Sequence, residues 1–224
     1  MTILFDMDGV ILDSERVYME GWLCAASLLG LDRERMLQAV EDATGVNDRL
    51  EKKIMEEAFS SSPGWSYEKA FAACRGYFNE TVDQGRMPVK EGARALLSWL
   101  KEAGIPAGLA SSTPRPLLEK EMTKAGLLPY FDAVVTGDMV QRSKPAPDIF
   151  LVCAEKLSAA PADCLVLEDS YNGIRAAVAA GMRPVMIPDR LPPTPEMEEK
   201  AFLILPSLTD FLAWLRAGQP QGRT

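Results

Sequence analysis

Two aspartates that are separated by one residue are the first side chains in the sequence that could do chemistry. Asp6 and Asp8 lie in the segment 5–10 (FDMDGV), directly after the apolar run 3–5 (ILF). Such a run is typical of a buried strand, and alternation along an extended backbone sends both carboxylates to one side at its C-terminal end. A carboxylate pair there could bind Mg²⁺, or could supply a nucleophile and a proton carrier. The same motif also occurs in ordinary turns, so a functional role is indicated only if further polar residues from elsewhere in the chain join it.

Two later segments place a hydroxyl and an ammonium after predicted strands. In 109–114 (LASSTP), Ser111 lies where a helix should begin. The free N–H groups of a helix N-terminus and this hydroxyl could hold a phosphate, although a simple N-cap serine gives the same pattern. In 143–148 (SKPAPD), two prolines stiffen the loop around Lys144, whose ammonium could neutralise a phosphoryl group. An isolated surface lysine is the simpler interpretation of that segment.

A third segment, 167–170 (LEDS), ends an apolar strand with two adjacent acids. Acidic side chains at such a place are costly to bury unless a cation or hydrogen bonds compensate them. Capping of the following helix by Asp169 or Ser170 would explain one polar residue but not both acids. Asp6, the backbone carbonyl of Asp8, Asp169 and water molecules would together form an oxygen-rich Mg²⁺ site.

The elements that position these segments alternate between strand and helix over most of the chain. The predicted strands are 3–5, 107–110, 133–136, 164–168, 184–187 and 202–205, and the helices among them are 91–103, 114–126, 147–157, 171–180 and about 207–217. This alternation predicts an α/β fold, with a Rossmann-like parallel sheet covered by helices on both faces. Ligands bind at the carboxyl ends of the strands in such sheets, where all the polar segments would lie.

One long segment breaks the alternation and contains only helical patterns. Its predicted helices are 14–29, 33–43, 48–59 and 66–84. We therefore expect a helical-bundle cap over residues 14–86, inserted into a core domain that is formed by residues 1–13 and 87–224. An insertion directly after the first strand should lie above the Asp6 end of the sheet as a lid.

Composition excludes several kinds of chemistry. The chain has no histidine, which removes histidine triads, histidine-ligated zinc and histidine acid/base catalysis. A formal net charge of −8 argues against a nucleic-acid partner, and an anionic substrate would need local positive charge. No apolar stretch is long enough to span a membrane. The four cysteines are scattered, which favours reduced thiols in a cytoplasmic protein.

The order and spacing of the motifs resemble those of one family. The segments 5–10 (FDMDGV), 13–15 (DSE), 110–112 (ASS), 144–148 (KPAPD) and 167–170 (LEDS) are similar in register to the motifs of the haloacid dehalogenase-like hydrolases. The resemblance covers nearly the whole chain. It is strongest with the branch that carries a helical cap after the first strand, which includes β-phosphoglucomutase, phosphoglycolate phosphatase and other small phosphatases.

This resemblance implies a role for each residue of the motifs. Asp6 would be the nucleophile that becomes an aspartyl phosphate. Asp8 would protonate the leaving alkoxide and then deprotonate the water that attacks the intermediate. Ser111 would bind the phosphoryl oxygens, and Lys144 would balance the charge on the nucleophile and the phosphate.

The resemblance also implies a Mg²⁺ cofactor and a set of substrate contacts. The metal would be held by Asp6, Asp8 and Asp169, with Glu168 either a direct ligand or an orienting neighbour.

Substrate contacts would come from Gly9 and Ser112 in the motifs. A further candidate is Arg49, because the segment 45–49 (GVNDR) is similar to a cap loop that faces the active site. A solvated arginine on the helix 48–59 fits that position equally well.

These features favour a Mg²⁺-dependent phosphomonoesterase of small sugar or polyol phosphates, acting as a monomer in the cytoplasm. The runner-up is a phosphosugar mutase, but Tyr18 occupies the approximate position of a histidine that the mutase branch carries. A third hypothesis, a non-catalytic phosphoacceptor module of the receiver type, shares the aspartate, hydroxyl and lysine. That module needs neither Asp8 nor a helical insertion.

Overall fold

The computed structural model describes residues 1–46 and 48–218, and of Asp48 only the backbone. Over this range the chain divides into two compact units. The first contains Met1–Asp13 and the chain from Pro88 onward, and the second contains Ser14–Met87.

The first unit is built on a six-stranded parallel sheet. Its strands are β1 (Thr2–Phe5), β2 (Ala107–Ser111), β3 (Ala133–Thr136), β4 (Cys164–Glu168), β5 (Arg183–Met186) and β6 (Leu203–Ile204). The spatial order is β3-β2-β1-β4-β5-β6. All residues of β1, β2 and β4 are buried, as expected for central strands that have helices on both faces. The predicted parallel α/β fold is confirmed.

The strand order creates a switch point between β1 and β4. The chain moves from β1 through β2 to β3 on one side, and then returns to place β4 on the other side of β1. The register pairs Phe5 with Leu167, and the Asp6 N–H donates to the Leu167 carbonyl over 3.0 Å. A crevice forms at the carboxyl ends of the strands at such a point, so the ends of β1 and β4 are where this unit should bind a ligand.

With one exception, the helices of the first unit occupy the predicted segments, and their ends differ from the predicted ones by at most two residues. They are α5 (Ala93–Glu102), α6 (Arg115–Lys124), α7 (Asp148–Lys156), α8 (Tyr171–Ala179), α9 (Pro195–Lys200) and α10 (Leu208–Arg216). The short α9 was not predicted. Only Met197 of its residues is buried, so it lacks the apolar repeat by which a helix is recognised. Its N-cap, Thr194, accepts a hydrogen bond from the Met197 N–H.

Among the residues that the structure describes, the second unit contains four helices, as predicted. They are α1 (Ser14–Leu29), α2 (Arg33–Asp42), α3 (Asp48–Phe59) and α4 (Tyr67–Asp83). The core lies around the fully buried Trp22, against which the Tyr18, Tyr67 and Phe71 rings pack. The Tyr18 hydroxyl donates to both carboxylate oxygens of Glu51, each over 3.0 Å, and the Tyr67 hydroxyl donates to one of them over 3.1 Å.

Two further observations concern the cysteines and the helix lengths of the described residues. All four cysteines are free thiols, and three of them are buried. None of the helices in the described ranges combines the length and the apolar character that crossing a membrane requires.

Candidate active site

Four elements of the first unit bring polar side chains to one edge of the sheet. Asp6 follows β1, Ser111 is the last residue of β2, and Glu168 is the last residue of β4. Lys144 comes from the loop between β3 and α7, where its peptide bond to Pro145 is cis. β2 and β4 are apolar until their last residue, and β1 is followed directly by Asp6, which explains why the sheet buries these strands and still presents polar side chains at this edge.

The centre of the site is the ammonium of Lys144. Its Nζ lies 2.5 Å from Asp6 Oδ1 and 2.5 Å from Glu168 Oε1. The same atom lies 4.9 Å from the centroid of the Phe150 ring. Only 8% of the lysine side chain is exposed, so this ammonium is a fixed, desolvated charge rather than a surface group.

One ammonium does not balance the carboxylates around it. Burial is the main cause that raises the pKa of Asp6 to about 7; the charge of Lys144 acts to lower it, and the charges of Glu168 and Asp8 act to raise it. Burial also raises the pKa of Asp169, with added repulsion from Glu168 and Asp6. Burial alone would lower the pKa of Lys144. The charges of its two hydrogen-bonded partners, Asp6 and Glu168, outweigh this effect and raise the pKa. The site therefore carries excess negative charge that a further cation would relieve.

Glu168 is held by donors on both of its carboxylate oxygens. Oε1 accepts from Lys144, while Oε2 accepts from the Ser170 N–H and hydroxyl, both over 2.9 Å. The Ser170 hydroxyl also caps α8 by accepting from the Gly173 N–H over 3.0 Å. Of the two residues that could cap this helix, Ser170 is therefore the cap. Because Ser170 caps the helix, capping does not explain the two adjacent acids, Glu168 and Asp169, and we attribute them to the site.

Two glycines leave room for the acidic side chains. A Cβ atom on Gly173 would lie 1.8 Å from the carboxylate carbon of Glu168. A Cβ atom on Gly9, whose φ is +76°, would lie 2.3 Å from Asp169 Oδ2. The backbone at Gly9 thus lies so close to the Asp169 carboxylate that only glycine, which has no Cβ atom, fits at this position.

Asp8 is oriented by hydroxyl groups from the end of β2. The Thr113 hydroxyl donates to Asp8 Oδ2 over 2.8 Å, and the Ser111 hydroxyl lies 3.4 Å from the same oxygen. The Ser111 Oγ also accepts from the Thr113 N–H over 3.1 Å. Ser111 is a buried strand residue, and the N-cap position of α6 is taken by Pro114, so the capping interpretation of this serine is wrong.

The donor set fits a hard divalent cation. Asp6 and Asp169 offer carboxylate oxygens beside the Asp8 backbone, and Mg²⁺ prefers such ligands together with water. Within the described residues, no group of three acidic or cysteine side chains converges closely enough to hold an ion alone. A site on this chain would therefore combine two carboxylates with the Asp8 carbonyl. Glu168, with both oxygens already bonded, is better placed to orient Lys144 than to bind the ion.

The remaining predicted residues are Gly9, Ser112 and Arg49. The Gly9 N–H donates to the Leu12 carbonyl over 2.9 Å, so it is already used within the loop. Ser112 is exposed, next to Ser111. Arg49 is exposed on α3 of the second unit. Its neighbour Asn47, which belongs to the segment that suggested a cap loop, lies outside the described residues.

Three residues at the site were not foreseen from the sequence. Thr113 lies in the segment 109–114, and its sequence signal was that it follows two other hydroxyl residues, Ser111 and Ser112. Lys90 and Asp189 form an ion pair over 2.7 Å, and Asp189 also lies close enough to raise the pKa of Asp169. The pairing of Lys90 with Asp189 could not be recognised in the sequence, because 99 positions separate the two residues.

The chain is similar to known proteins in both sequence and fold. Residues 1–181 match the haloacid dehalogenase-like hydrolase family. Hexitol phosphatase B of Escherichia coli is 33% identical over 190 residues, which cover 84% of this chain and 83% of the relative. A phosphorylated carbohydrates phosphatase of Thermotoga maritima is 29% identical over 220 residues, covering 96% and 90% of the two chains. A crystal structure of a Thermotoga maritima protein described as a β-phosphoglucomutase superposes with a TM-score of 0.81 and 27% identity, over 97% of this chain and 99% of the other.

Proposed function

The chain belongs to the haloacid dehalogenase-like hydrolases, and we propose that it is a Mg²⁺-dependent phosphatase of small sugar or polyol phosphates. The observation that carries the proposal is the buried ammonium of Lys144 between Asp6 and Glu168, with Asp8 two residues further along the same strand end. This arrangement offers a nucleophile, a fixed positive charge for a phosphoryl group and a second acid for proton transfer.

In the first half of the proposed reaction, the Asp6 carboxylate attacks the phosphorus of the ester. The bond from phosphorus to the ester oxygen breaks, and its electron pair stays on that oxygen. Asp8 in its acid form gives its proton to the same oxygen, so that the alcohol leaves as a neutral molecule. Lys144 and Ser111 stabilise the phosphoryl group while it is transferred.

In the second half, water releases the phosphate from Asp6. The Asp8 carboxylate takes a proton from the water as its oxygen attacks phosphorus, and the bond between phosphorus and Asp6 breaks. Inorganic phosphate leaves, and both aspartates return to their starting states. The same Asp8 thus acts first as an acid and then as a base, which suits a chain without histidine.

Mg²⁺ would be held by Asp6, the Asp8 carbonyl and Asp169, and would supply positive charge that neutralises the phosphoryl oxygens. Within the chain, Glu168 orients Lys144, and Ser170 holds Glu168 in place. The excess negative charge of the four acidic side chains supports this assignment.

The substrate class is supported by the relatives, which are named for hexitol phosphates and phosphorylated carbohydrates. We propose that the helical unit acts as a cap that selects the substrate, and that Arg49, Gly9 and Ser112 contact it. An Arg49→Ala variant should raise KM for sugar phosphates while leaving p-nitrophenyl phosphate turnover unchanged. Equal effects on both substrates would remove Arg49 from the proposed contacts.

A phosphosugar mutase is the second candidate, because the superposed Thermotoga maritima structure is described as one. One observation weighs against it. Tyr18, near the position where mutases carry a histidine, is bonded to Glu51, and burial together with that carboxylate raises the pKa of its phenol. A phenol in this state is a poor proton carrier near neutral pH. Isomer formation that requires a bisphosphate activator would favour the mutase.

The test is release of inorganic phosphate from a panel of sugar, polyol, glycolate and nucleotide monophosphates, with and without Mg²⁺. Release should require the metal, and Asp6→Asn should reduce it to background. Asp163→Asn, at an exposed aspartate directly before β4 and outside the proposed machinery, serves as the matched control. Unchanged release by the Asp6→Asn variant would contradict the proposal.

A further inference from the structure

The turn after β2 places a hydroxyl against the proposed acid. Thr113 Oγ1 lies 2.8 Å from Asp8 Oδ2, well within the range of a strong hydrogen bond to a carboxylate. The Ser111 hydroxyl lies further from the same oxygen, at 3.4 Å. Thr113 therefore makes the shorter of the two hydroxyl contacts that the end of β2 offers to Asp8.

The position of Thr113 is fixed from both sides. Its N–H donates to the Oγ of the fully buried Ser111 over 3.1 Å. The next residue is Pro114, whose φ of −61° leads directly into α6 at Arg115. A hydroxyl on such a turn is held in place by the strand end and the helix start, so it can orient the carboxylate that it contacts.

We propose that Thr113 is a positioning residue that orients the Asp8 carboxyl group for proton transfer. This inference rests on the proposed phosphatase function. The 2.8 Å hydrogen bond from the Thr113 hydroxyl to Oδ2 restricts rotation of the carboxyl group about its Cβ–Cγ bond. The hydroxyl thereby fixes the plane of the carboxyl group, and with it the direction in which the proton reaches the ester oxygen.

The expected effect of misplacing the Asp8 carboxyl group depends on the leaving group of the substrate. Transfer of the phosphoryl to Asp6 breaks the bond to the ester oxygen, and an alkoxide needs the Asp8 proton as that bond breaks. p-Nitrophenolate leaves without protonation. A misoriented Asp8 should therefore impair the first half-reaction with a polyol phosphate and spare it with p-nitrophenyl phosphate.

The experiment compares kcat/KM for sorbitol 6-phosphate and p-nitrophenyl phosphate in the wild type and in Thr113→Val and Thr113→Ser. kcat/KM reports the first phosphoryl transfer, so it isolates the proton donation step. We expect Thr113→Val to lower kcat/KM for sorbitol 6-phosphate by about tenfold or more and that for p-nitrophenyl phosphate by less than about threefold. Thr113→Ser, which keeps the hydroxyl, should restore both values.

A second comparison uses the Asp8→Asn background. If Thr113 acts through Asp8, Thr113→Val should add no further selectivity between the two substrates when Asp8 is already replaced. Equal losses on both substrates, or a Thr113→Ser variant as impaired as Thr113→Val, would overturn the positioning role. A wild-type protein that releases no phosphate from either substrate would instead overturn the phosphatase proposal, and this inference with it.

Discussion

At the residue scale, the site is defined by the imbalance of charge around Lys144. Asp6, Glu168 and Asp169 lie near a single ammonium, and burial prevents water from screening their repulsion. The proposed metal and the phosphoryl group have opposite charges, so the negative charge of the site favours binding of the cation before the phosphoryl group. The metal-free protein should therefore lose stability when these carboxylates become ionised.

This cost can be measured through Asp6. Burial raises the pKa of Asp6 to about 7 in the folded state, above its usual value of 3.8, so the folded state binds more protons and loses stability as pH rises between these values. In EDTA, Asp6→Asn should remove this slope. Relative to the wild type, its free energy of unfolding should rise by about 2 kcal/mol between pH 5 and pH 8. Urea unfolding at both pH values checks this, and a pH-independent difference between the two proteins would contradict it.

At the element scale, the sequence predicted the three central strands and their polar ends well, because each of β1, β2 and β4 contains an apolar run that stops at a polar residue. The strand Cys164–Glu168 has the predicted bounds, and the polar ends of β1, β2 and β4 meet as expected. Contacts made through loops were not predictable. Thr113 reaches Asp8 only because of the turn geometry after Ser111, and no periodic pattern encodes that turn.

The packing of α8 against Glu168 gives a test with a matched control. Gly173→Ala would place a Cβ 1.8 Å from the Glu168 carboxylate carbon, whereas Gly76→Ala on α4 would meet nothing within 4 Å. We expect Gly173→Ala to lower the free energy of unfolding by about 1–3 kcal/mol and to reduce activity by displacing Glu168 from Lys144. Gly76→Ala should raise stability by about 0.5–1 kcal/mol through helix propensity. Equal stabilities of the two variants would show that α8 adapts without strain.

The ion pair of Lys90 and Asp189 links the segment before α5 to the loop after β5. The pair is largely buried, and Asp189 Oδ2 has no hydrogen-bond partner among the described residues. Lys90→Met should therefore cost about 2 kcal/mol by leaving a desolvated carboxylate unpaired. Adding Asp189→Asn should recover part of that loss, which urea unfolding of the single and double variants would measure. A double variant less stable than Lys90→Met would contradict this account.

At the scale of the whole molecule, the chain combines a parallel sheet with a helical unit inserted after its first strand. The sequence predicted this organisation because period and composition change sharply near Ser14 and again near Pro88. Substrate choice was not predictable to the same degree, since it depends on side chains such as Arg49 that no periodic pattern singles out. The proposed chemistry is nevertheless independent of the helical unit's own residues, because every group that reacts belongs to the sheet unit.

The central claim is that Asp6 carries the phosphoryl group during turnover. The most direct measurement is an acid quench of the enzyme during Mg²⁺-dependent hydrolysis of a radiolabelled sugar phosphate, followed by peptide mapping. The label should appear on the peptide that contains Asp6, should be removed by hydroxylamine, and should be absent in EDTA and in Asp6→Asn. Full turnover without a labelled protein, or label on a different residue, would contradict the account.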